Sequence, residues 1–286
     1  MVQSTKSLEQ GERICKLKPM TMEGNIVSSQ GRRSAILQIL KENSSVSVAE
    51  LSHMFGVSEV TIRKDLNLLK ERNLLVRTRG GAITGSMAEH EEEVNIRFKK
   101  LANYREKQAI GRAAADLIED GDTIIIDSGT TALQVACNLH KFKSLTVLTN
   151  ALNVAQEVLS YKRFNVILLG GNIRNSSESV VGALAESNLK MFYCDKLFMG
   201  VDSFSVENGL STPSVEEANI NQIMIQRSRE VIAVFDSSKV NKRALAFITM
   251  ADQLDTVVTD TGMDKATRNH LKGMNVNVIA VRPDSV

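Results

Sequence analysis

Residues 46–79 read VSVAELSHMFGVSEVTIRKDLNLLKERNLLVRTR and contain two apolar-periodic segments separated by a glycine. Ser47 followed three residues later by Glu50 is a capping-box pattern, which indicates the start of a helix. The apolar residues of this first segment have helical spacing and are Val48, Leu51, Met54 and Phe55. Gly56 supplies a tight turn, and Ser58 can cap a second, longer helix. The pattern predicts a helix-turn-helix over residues 46–65, a motif whose second helix enters the DNA major groove.

The second helix carries the residues that we expect to face DNA. Contacts to bases come from the N-terminal part of such a helix, and the candidates there are Ser58, Glu59, Thr61, Arg63 and Lys64. Arg63 is suited to a guanine edge, although its position is equally consistent with a phosphate contact. Glu59 could simply favour the positive end of the helix.

A basic hairpin is predicted directly after this helix. Residues 74–82, LLVRTRGGA, have the pattern of a strand, a glycine turn and a return strand, with Arg77 and Arg79 on one face. Such a wing can reach phosphates or a neighbouring minor groove. Upstream, a first helix begins at Arg32, which could also contact phosphate or lie at a solvated helix end. The alternative is a helical hairpin with a surface charge cluster that binds no nucleic acid.

Composition and charge favour two domains with different roles. The chain has 286 residues, 43% of them hydrophobic and 24% charged, so it can bury a sizeable core. Residues 1–85 hold 13 Lys and Arg against 8 Asp and Glu, whereas residues 86–286 hold 22 against 25. A basic first part and a mildly acidic remainder are typical of an N-terminal nucleic-acid-binding module.

The cysteines and the apolar runs exclude several protein classes. Cys15, Cys137 and Cys194 are odd in number and widely scattered, which argues against a disulfide framework and against a zinc site. No run approaches the roughly 18 apolar residues of a membrane span, and no signal-peptide core is visible. We therefore expect a cytoplasmic protein that binds no membrane, metal or cofactor.

Strands and helices alternate after residue 105. The predicted strands are residues 123–127, 145–149, 166–169, 196–201, 231–235, 256–259 and 276–280, and the predicted helices are residues 106–118, 130–139, 151–159, 184–191, 215–229 and 264–272. Short apolar strands separated by helices predict an α/β fold with a mostly parallel open sheet covered on both faces. The expected organisation is a flexible extension over residues 1–28, a winged helix-turn-helix domain over 29–84, a linker helix over 85–104 and an α/β domain over 105–282.

Polar residues follow several of these strands, at the edge where parallel sheets bind ligands. After the first strand, hydroxyls and backbone N–H groups of a loop could hold a phosphate. The candidates are Asp127, Ser128, Gly129, Thr130 and Thr131 in this loop, and Asn150, Gly170, Gly171, Asp202 and Lys239 after later strands. Taken singly, each is also consistent with an ordinary cap, turn or solvated lysine.

At these positions the sequence resembles the DeoR-type bacterial transcriptional regulators. In the first half the resemblance rests on Arg32, Arg33 and the segments 57–66, VSEVTIRKDL, and 77–82, RTRGGA. In the second half it rests on the segments 127–131, DSGTT, 149–150, TN, 170–171, GG, 200–202, GVD, and 236–239, DSSK. The match covers roughly residues 30–282.

The resemblance implies a repressor that binds double-stranded operator DNA as a dimer or tetramer and is released by a phosphorylated sugar. It implies a sensor domain similar in fold to ribose-5-phosphate isomerase, with residues 128–131 as the phosphate loop. Asp202 would match the first acidic position of an isomerase motif, and Lys239 a substrate-contacting lysine. Glu216 would match the catalytic glutamate, with Glu217 as the alternative one residue away.

The chain departs from the isomerase pattern just after Asp202. The isomerase has a second aspartate and a lysine followed by glycines there, whereas residues 202–212 read DSFSVENGLST. Isomerisation needs a base that moves a proton and a partner that stabilises the enediolate. Because that partner is missing from this stretch, we expect ligand binding without turnover; the alternative is an active sugar-phosphate isomerase.

Overall fold

The computed structural model describes residues 29–43, 45–71, 74–78, 80–84 and 96–283. These residues form two compact units, divided between residues 89 and 90. The predicted extension over residues 1–28 and the wing residue Arg79 lie outside the described ranges.

The first unit is a winged helix-turn-helix, as predicted. Its elements are α1 Ser29–Asn43, β1 Ser45–Ser47, α2 Val48–Phe55, α3 Glu59–Glu71, β2 Leu75–Arg77 and β3 Gly81–Thr84. The three strands form an antiparallel sheet in the order β1-β3-β2. Strand β1 was not predicted, because its three residues directly precede a helix and are too few to show the alternating hydrophobic pattern of a strand.

Local sequence signals fix the helix-turn-helix geometry. The Ser47 hydroxyl accepts a hydrogen bond from the Glu50 backbone N–H, and the Glu50 carboxylate accepts one from the Ser47 N–H, which completes the predicted capping box. Gly56 ends α2 with a φ of 61°, a left-handed conformation that glycine adopts without steric cost. Apolar residues of all three helices then form a single core, led by Ile36, Leu51 and Ile62.

The second unit is an α/β domain built on a seven-stranded parallel sheet. Its helices are α4 Ile96–Leu101, α5 Tyr104–Ala115, α6 Thr130–Ala136, α7 Leu152–Ser160, α8 Ala183–Leu189, α9 Val215–Gln226 and α10 Lys265–Gly273. Its strands are β4 Thr123–Ile126, β5 Thr146–Thr149, β6 Asn165–Leu168, β7 Asn172–Arg174, β8 Ser179–Val181, β9 Cys194–Gly200, β10 Ser203–Ser205, β11 Gly209–Thr212, β12 Ser228–Val234, β13 Ala246–Thr249, β14 Thr256–Asp260 and β15 Asn277–Val281. The main sheet has the order β15-β14-β12-β9-β4-β5-β6.

Alternating side chains of the central strands enter two separate cores. Ile124 and Ile126 pack with helices α5, α6 and α7 on one face, whereas Ile125 packs with α8, α9 and α10 on the other. Because both faces are covered, the strands are apolar along their whole length, and this produced the continuous apolar runs in the sequence.

Two smaller antiparallel sheets were not predicted. The hairpin β7-β8 and the sheet β10-β11-β13 consist of strands of three or four residues, several of them rich in serine. Such short polar segments resemble loops in sequence. Helix α4 belongs to the second unit, although it was assigned to a linker helix over residues 85–104.

Candidate functional site

Helix α3 buries one face and presents the other to solvent. Ile62, Leu66 and Leu69 are buried in the first core, and the residues predicted to face DNA lie on the opposite side. Ser58, Glu59, Arg63 and Lys64 are exposed, and Thr61 is partly exposed. The structure therefore places all five at the surface of the N-terminal half of this helix.

Contacts within the helix leave the Arg63 side chain accessible. The hydroxyls of Ser58 and Thr61 lie 3.0 Å apart, and the Thr61 N–H donates to the Ser58 oxygen at 3.3 Å, as expected for a cap. Arg63 pairs with Glu59 at 2.8 Å, and more than half of the Arg63 side chain is exposed. Exposed ion pairs of this kind contribute little to stability, so an anion that binds Arg63 more tightly can take the place of Glu59 as its partner.

The wing brings a second cation close to Arg63. The Arg77 guanidinium donates a hydrogen bond to the Gly81 carbonyl at 2.9 Å, which fixes the arginine across the hairpin. Burial, followed by the positive charge of Arg63, lowers the pKa of Arg77 below its ordinary value. Two neighbouring guanidinium groups form a positive surface that would attract a phosphate.

The structure gives Arg32 a different role from the predicted phosphate contact. Its side chain is buried, and Nε lies 2.6 Å from Oδ2 of Asp65 on α3. Arg33 adds a second, longer contact of 3.6 Å to the other carboxylate oxygen. These pairs tie α1 to the buried face of the recognition helix, so Arg32 fixes the orientation of α3.

Breaking this buried pair should destabilise the first unit. Removing one partner of a buried pair leaves an uncompensated charge, and we expect Asp65→Asn to lower the free energy of unfolding by about 3 kcal/mol. Denaturant unfolding of the full chain, followed by circular dichroism, measures the change.

Glu71→Asn is the matched control, because Glu71 is an exposed acid on the same helix. It should change the unfolding free energy by less than about 0.5 kcal/mol. Equal stability of the Asp65 variant and the wild type would show that the pair does not hold α3.

The second unit has a pocket at the carboxyl ends of β4 and β9. These strands are neighbours in the sheet. The strand that follows β4, which is β5, lies on one side of the pair, whereas β12, the next strand of this sheet after β9, lies on the other side. Open α/β sheets bind ligands at such a reversal of strand order. The pocket is lined by Ile96, Lys99, Asp127, Ser128, Gly129, Thr130, Thr131, Ser176, Ser177, Gly200, Val201, Asp202, Thr212, Glu217, Asn221, Lys239 and Ile248.

Asp127 lies on the floor of the pocket, where β4 ends. Its Oδ2 accepts hydrogen bonds from the Gly200 N–H at 3.2 Å and from Asn221 Nδ2 at 3.0 Å. Burial raises the pKa of Asp127 to about 7, with a further contribution from the negative charge of Glu217. Gly200 is required here, because a Cβ at that position would lie 2.7 Å from the Ser128 carbonyl oxygen.

Asp202 has the cationic partner that the sequence around it lacks. Lys99 Nζ lies 2.5 Å from Asp202 Oδ1, and the Thr212 hydroxyl lies 3.3 Å from Oδ2. Burial opposes ionisation of Asp202, but the charge and hydrogen bond of Lys99 outweigh it, so the pKa of Asp202 is lowered. Residues 202–212 hold no lysine, and the cation comes instead from Lys99 on α4, about a hundred residues earlier in the chain.

Glu217, rather than Glu216, faces the pocket. Its Oε2 accepts a hydrogen bond from the Thr212 hydroxyl at 3.1 Å, and Oε1 accepts one from the Ser179 hydroxyl at 3.4 Å. The Glu216 side chain is 54% exposed and lies 3.6 Å from Arg174. The predicted assignment of Glu216 is thus corrected by one residue, since Ser214 caps α9 at the Glu217 N–H and turns the second glutamate inward.

Besides Glu216, three predicted residues do not line the pocket. Asn150 is buried and donates to the Val180 carbonyl, so it anchors strand β8. Gly170 and Gly171 follow β6, the edge strand, and approach Asn188 and Val181 respectively. Strands β5 and β6 continue away from the reversal of strand order, and their carboxyl ends therefore lie apart from the ends of β4 and β9.

The remaining predicted residues surround the cavity in a way that suits a small polar anion. Ser128, Gly129, Thr130 and Thr131 form one wall, and Lys239 lies in the turn after β12. Carboxylates of Asp127, Asp202 and Glu217 can accept hydrogen bonds from sugar hydroxyls, whereas the wall hydroxyls and lysines can bind an anionic group. The cavity measures about 60 Å³ within a solvent-open depression of about 660 Å³.

The cysteines and acidic side chains of the described ranges form neither a disulfide nor a metal site. No cluster of His, Cys, Asp and Glu there has metal-binding geometry. Cys137 and Cys194 are unpaired with each other, and burial raises the pKa of each thiol to about 11. No helix in the described part of the chain is long and apolar enough to cross a membrane.

The raised pKa of Asp127 should make stability depend on pH. Its folded-state pKa of about 7 exceeds the usual aspartate value, so the folded state binds more protons than the unfolded state between the two values. Stability from this group therefore falls as pH rises through that window. Relative to Asp127→Asn, the wild type should lose on the order of 3 kcal/mol of unfolding free energy between pH 5 and pH 8.

Urea unfolding at the two pH values tests this expectation. Asp252→Asn, an exposed substitution in the same unit, should keep the wild-type pH dependence. An identical pH dependence of the wild type and the Asp127 variant would mean that Asp127 is ionised throughout.

Comparison with known protein families covers both units. Residues 32–87 match the DeoR-like helix-turn-helix domain, and residues 102–261 match the DeoR C terminal sensor domain. The chain is 36% identical over 250 residues to the uncharacterized HTH-type transcriptional regulator YulB of Bacillus subtilis, covering 87% of this chain and 96% of that protein.

Several relatives are named as repressors. Transcriptional repressor AccR of Agrobacterium fabrum is 34% identical over 82% of this chain and 91% of its own length. HTH-type transcriptional repressor GlcR of Bacillus subtilis is 31% identical over 88% of this chain and 96% of its own length.

Similarity to solved structures is weaker. Ribose 5-phosphate isomerase A of Methanocaldococcus jannaschii aligns with a TM-score of 0.37 and 16% identity, over 50% of this chain and 56% of that chain. A similarity of this size supports no statement about activity.

Proposed function

Because the chain belongs to the DeoR family of helix-turn-helix transcriptional regulators, we propose that it is a repressor that releases its operator when a phosphorylated sugar enters the pocket of the second unit. The family consists of regulators rather than enzymes, so the ligand is sensed and not converted. The observation that carries the proposal is the pocket at the β4–β9 reversal of strand order, with carboxylates and lysines together, in a chain that also carries a winged helix.

Operator binding is assigned to the exposed half of α3 and to the wing. Arg63 and Lys64 are exposed near the start of the helix, the part of a recognition helix that reaches base edges. The neighbouring Arg77 adds positive charge on the wing, where it would contact phosphate and contribute affinity more than sequence choice.

Effector binding is assigned to two sides of the pocket. The phosphate would contact the hydroxyls of Ser128, Thr130 and Thr131, together with Lys239. The sugar hydroxyls would donate to the carboxylates of Asp127 and Glu217. Glu217 is held by Thr212 and Ser179, so it is already positioned to select a hydroxyl rather than a second anion.

Release follows from a shift between two arrangements of an oligomer. A dimer or tetramer would hold two winged helices at a spacing that matches operator half-sites, about one helical turn or a multiple of it apart. Effector binding would favour an arrangement that lacks this spacing. A 100-fold release needs only about 2.7 kcal/mol of differential affinity between the two states. The proposed place of action is the cytoplasm, where bacterial operator DNA lies.

A mobility-shift titration on the DNA upstream of its own gene tests the function. The titration is repeated with a panel of pentose and hexose phosphate monoesters and with inorganic phosphate, and each compound is recovered and analysed. We expect specific binding that one phosphate ester relieves without being consumed. Specific DNA binding that no member of the panel affects would contradict the proposed effector class.

Substitution of Arg63 should weaken operator binding without unfolding the protein. Loss of a base or phosphate contact costs about 1–3 kcal/mol, so Arg63→Ala should weaken affinity by about 10–100-fold. The ion pair with Glu59 is exposed, and its loss should leave the unfolding curve unchanged.

Lys70→Ala is the control for Arg63→Ala, because it removes one positive charge from the last turn of the same helix. Its operator affinity should fall by less than about threefold at the same salt concentration. If the two variants lose affinity equally, Arg63 contributes only to the general charge of the helix.

Two adjacent glutamates test the effector site. Glu217→Gln should raise the effector concentration needed for operator release by about tenfold or more, because the pocket loses a charged acceptor. Glu216→Gln changes the same charge at the exposed neighbouring position and should respond to effector as the wild type does.

Operator titrations of both variants at fixed DNA concentration give the comparison. DNA affinity without effector should be the same for both. A normal effector response of Glu217→Gln would place the effector outside this pocket.

A further inference from the structure

Helix α4 contributes to the pocket through its residue Lys99. Ile96 and Lys99 line the cavity, and Lys99 forms the 2.5 Å ion pair with Asp202. Both side chains of this pair are about one-quarter exposed, so the pair lies at the mouth of the pocket rather than in the core. A helix that precedes the sheet in sequence thus supplies one wall of a site built at the ends of its strands.

The contacts of Lys99 conflict with occupation of the pocket. Asp202 Oδ1 contacts Lys99, and Oδ2 faces the Thr212 hydroxyl. The cavity of about 60 Å³ holds about two water molecules, whereas small-molecule sites usually measure about 300–1,000 Å³. A ligand of the usual size therefore needs more room than this cavity gives, and Lys99 lies beside Asp202 Oδ1, where a sugar hydroxyl would approach.

The other contacts of α4 also lie on the pocket rim. The Ile96 N–H donates to the Ser176 carbonyl at 2.8 Å, and Lys100 lies 3.6 Å from the Glu178 carboxylate. Ser176 and Glu178 belong to the turn between β7 and β8. Because α4 has six residues, well below the length at which an isolated helix is stable, its tertiary contacts must hold it in place. The 3.6 Å pair of Lys100 and Glu178 is partly exposed and contributes little to this.

A single left-handed residue separates α4 from α5, which is packed in the core of the sensor. Asn103 adopts a left-handed conformation with φ of 52° between α4 and α5, and its side chain donates to Asp236 at 2.8 Å. The buried Lys107 donates to the carbonyls of Lys99 and Ala102. Helix α5 itself is anchored in the core through residues such as Ile110. A displacement of α4 while α5 stays in place therefore requires a change at Asn103 and the loss of the hydrogen bond from Lys107 to the Lys99 carbonyl.

We propose that α4 is a lid held closed by the Lys99–Asp202 ion pair, and that the effector opens it by competing with Lys99 for Asp202. This inference rests on the proposed effector site. Helix α4 is the first described element after β3 of the winged helix in the chain.

The first test removes the ion pair with a side chain of similar length. Lys99→Met should favour the open lid. It should bind effector about tenfold more tightly and bind operator more weakly without effector, because both equilibria are linked to lid opening. Lys100→Met is the matched control on the same helix, since its longer contact with Glu178 lies on the rim. It should leave both affinities within about twofold of the wild type.

The second test needs no effector. Hydrogen exchange of the α4 amides, followed by mass spectrometry of the free protein, should be faster in Lys99→Met than in the wild type. Asp202→Asn breaks the same pair from the other side and should accelerate exchange equally. It should, however, bind effector more weakly, because Asp202 is a ligand contact in the open state. Circular dichroism checks that each variant is folded.

The results of these tests distinguish a failure of the lid proposal from a failure of the proposed effector site. Weaker or unchanged effector binding by Lys99→Met, or unchanged α4 exchange in both variants, overturns the lid. A wild type that binds no member of the sugar-phosphate panel contradicts the proposed function, whereas fast α4 exchange and weak operator binding in Lys99→Met would still support the lid. The effector used is the panel member that releases the operator from the wild type.

Discussion

The reversal of strand order between β4 and β9 is the constraint on which the sensor unit depends. The connection after β4 runs to one side of the sheet, and the connection after β9 runs to the other side. No connecting segment therefore covers the gap between the carboxyl ends of these two adjacent parallel strands. Asp127 follows one strand and Asp202 the other, and the topology brings them together at the same edge. The close approach of Gly200 to Ser128 then leaves no space for a side chain between the strands.

Three carboxylates in one pocket would be unfavourable unless each were stabilised by contacts of its own. Asp127 is buried most deeply and is compensated by hydrogen bonds and by a raised pKa, which makes a proton available near neutrality. Asp202 is compensated by the ammonium group of Lys99, and Glu217 by hydroxyl donors and by Arg174 at 3.5 Å. The three acids therefore differ in character although they share a site. Only the Asp202 compensation comes from an element that precedes the sheet.

The elements with strong local signals could be predicted from the sequence. The capping box at Ser47, the glycine turn at Gly56 and the apolar strands all depend on residues close together in the chain. Strand-end residues were predicted less well, because the sequence shows where strands end and not the order in which they lie. Asn150 and Gly170 follow strands as Asp127 does, yet the sheet order places them away from the pocket.

The residues that the sequence analysis missed are those joined by tertiary contacts alone. Lys99 meets Asp202 across 103 positions, and Asn221 meets Asp127 across 94. No period or motif in a single sequence indicates such a pair. Arg32 shows the same limit in the first unit, since its position at a helix start suggested a DNA contact and its partner Asp65 lies 33 residues away.

Helices α4 and α5 differ in how they can respond to a ligand in the pocket. A ligand shifts an equilibrium only through an interaction that differs between the two states. Helix α5 is packed in the core and contributes no residue to the pocket lining, so a ligand makes no direct contact with it. A sugar hydroxyl that approaches Asp202 Oδ1 competes with Lys99 for the same carboxylate oxygen. This competition makes the position of α4 depend on the ligand, and the partial exposure of the pair keeps its strength within the range that a small molecule can overcome.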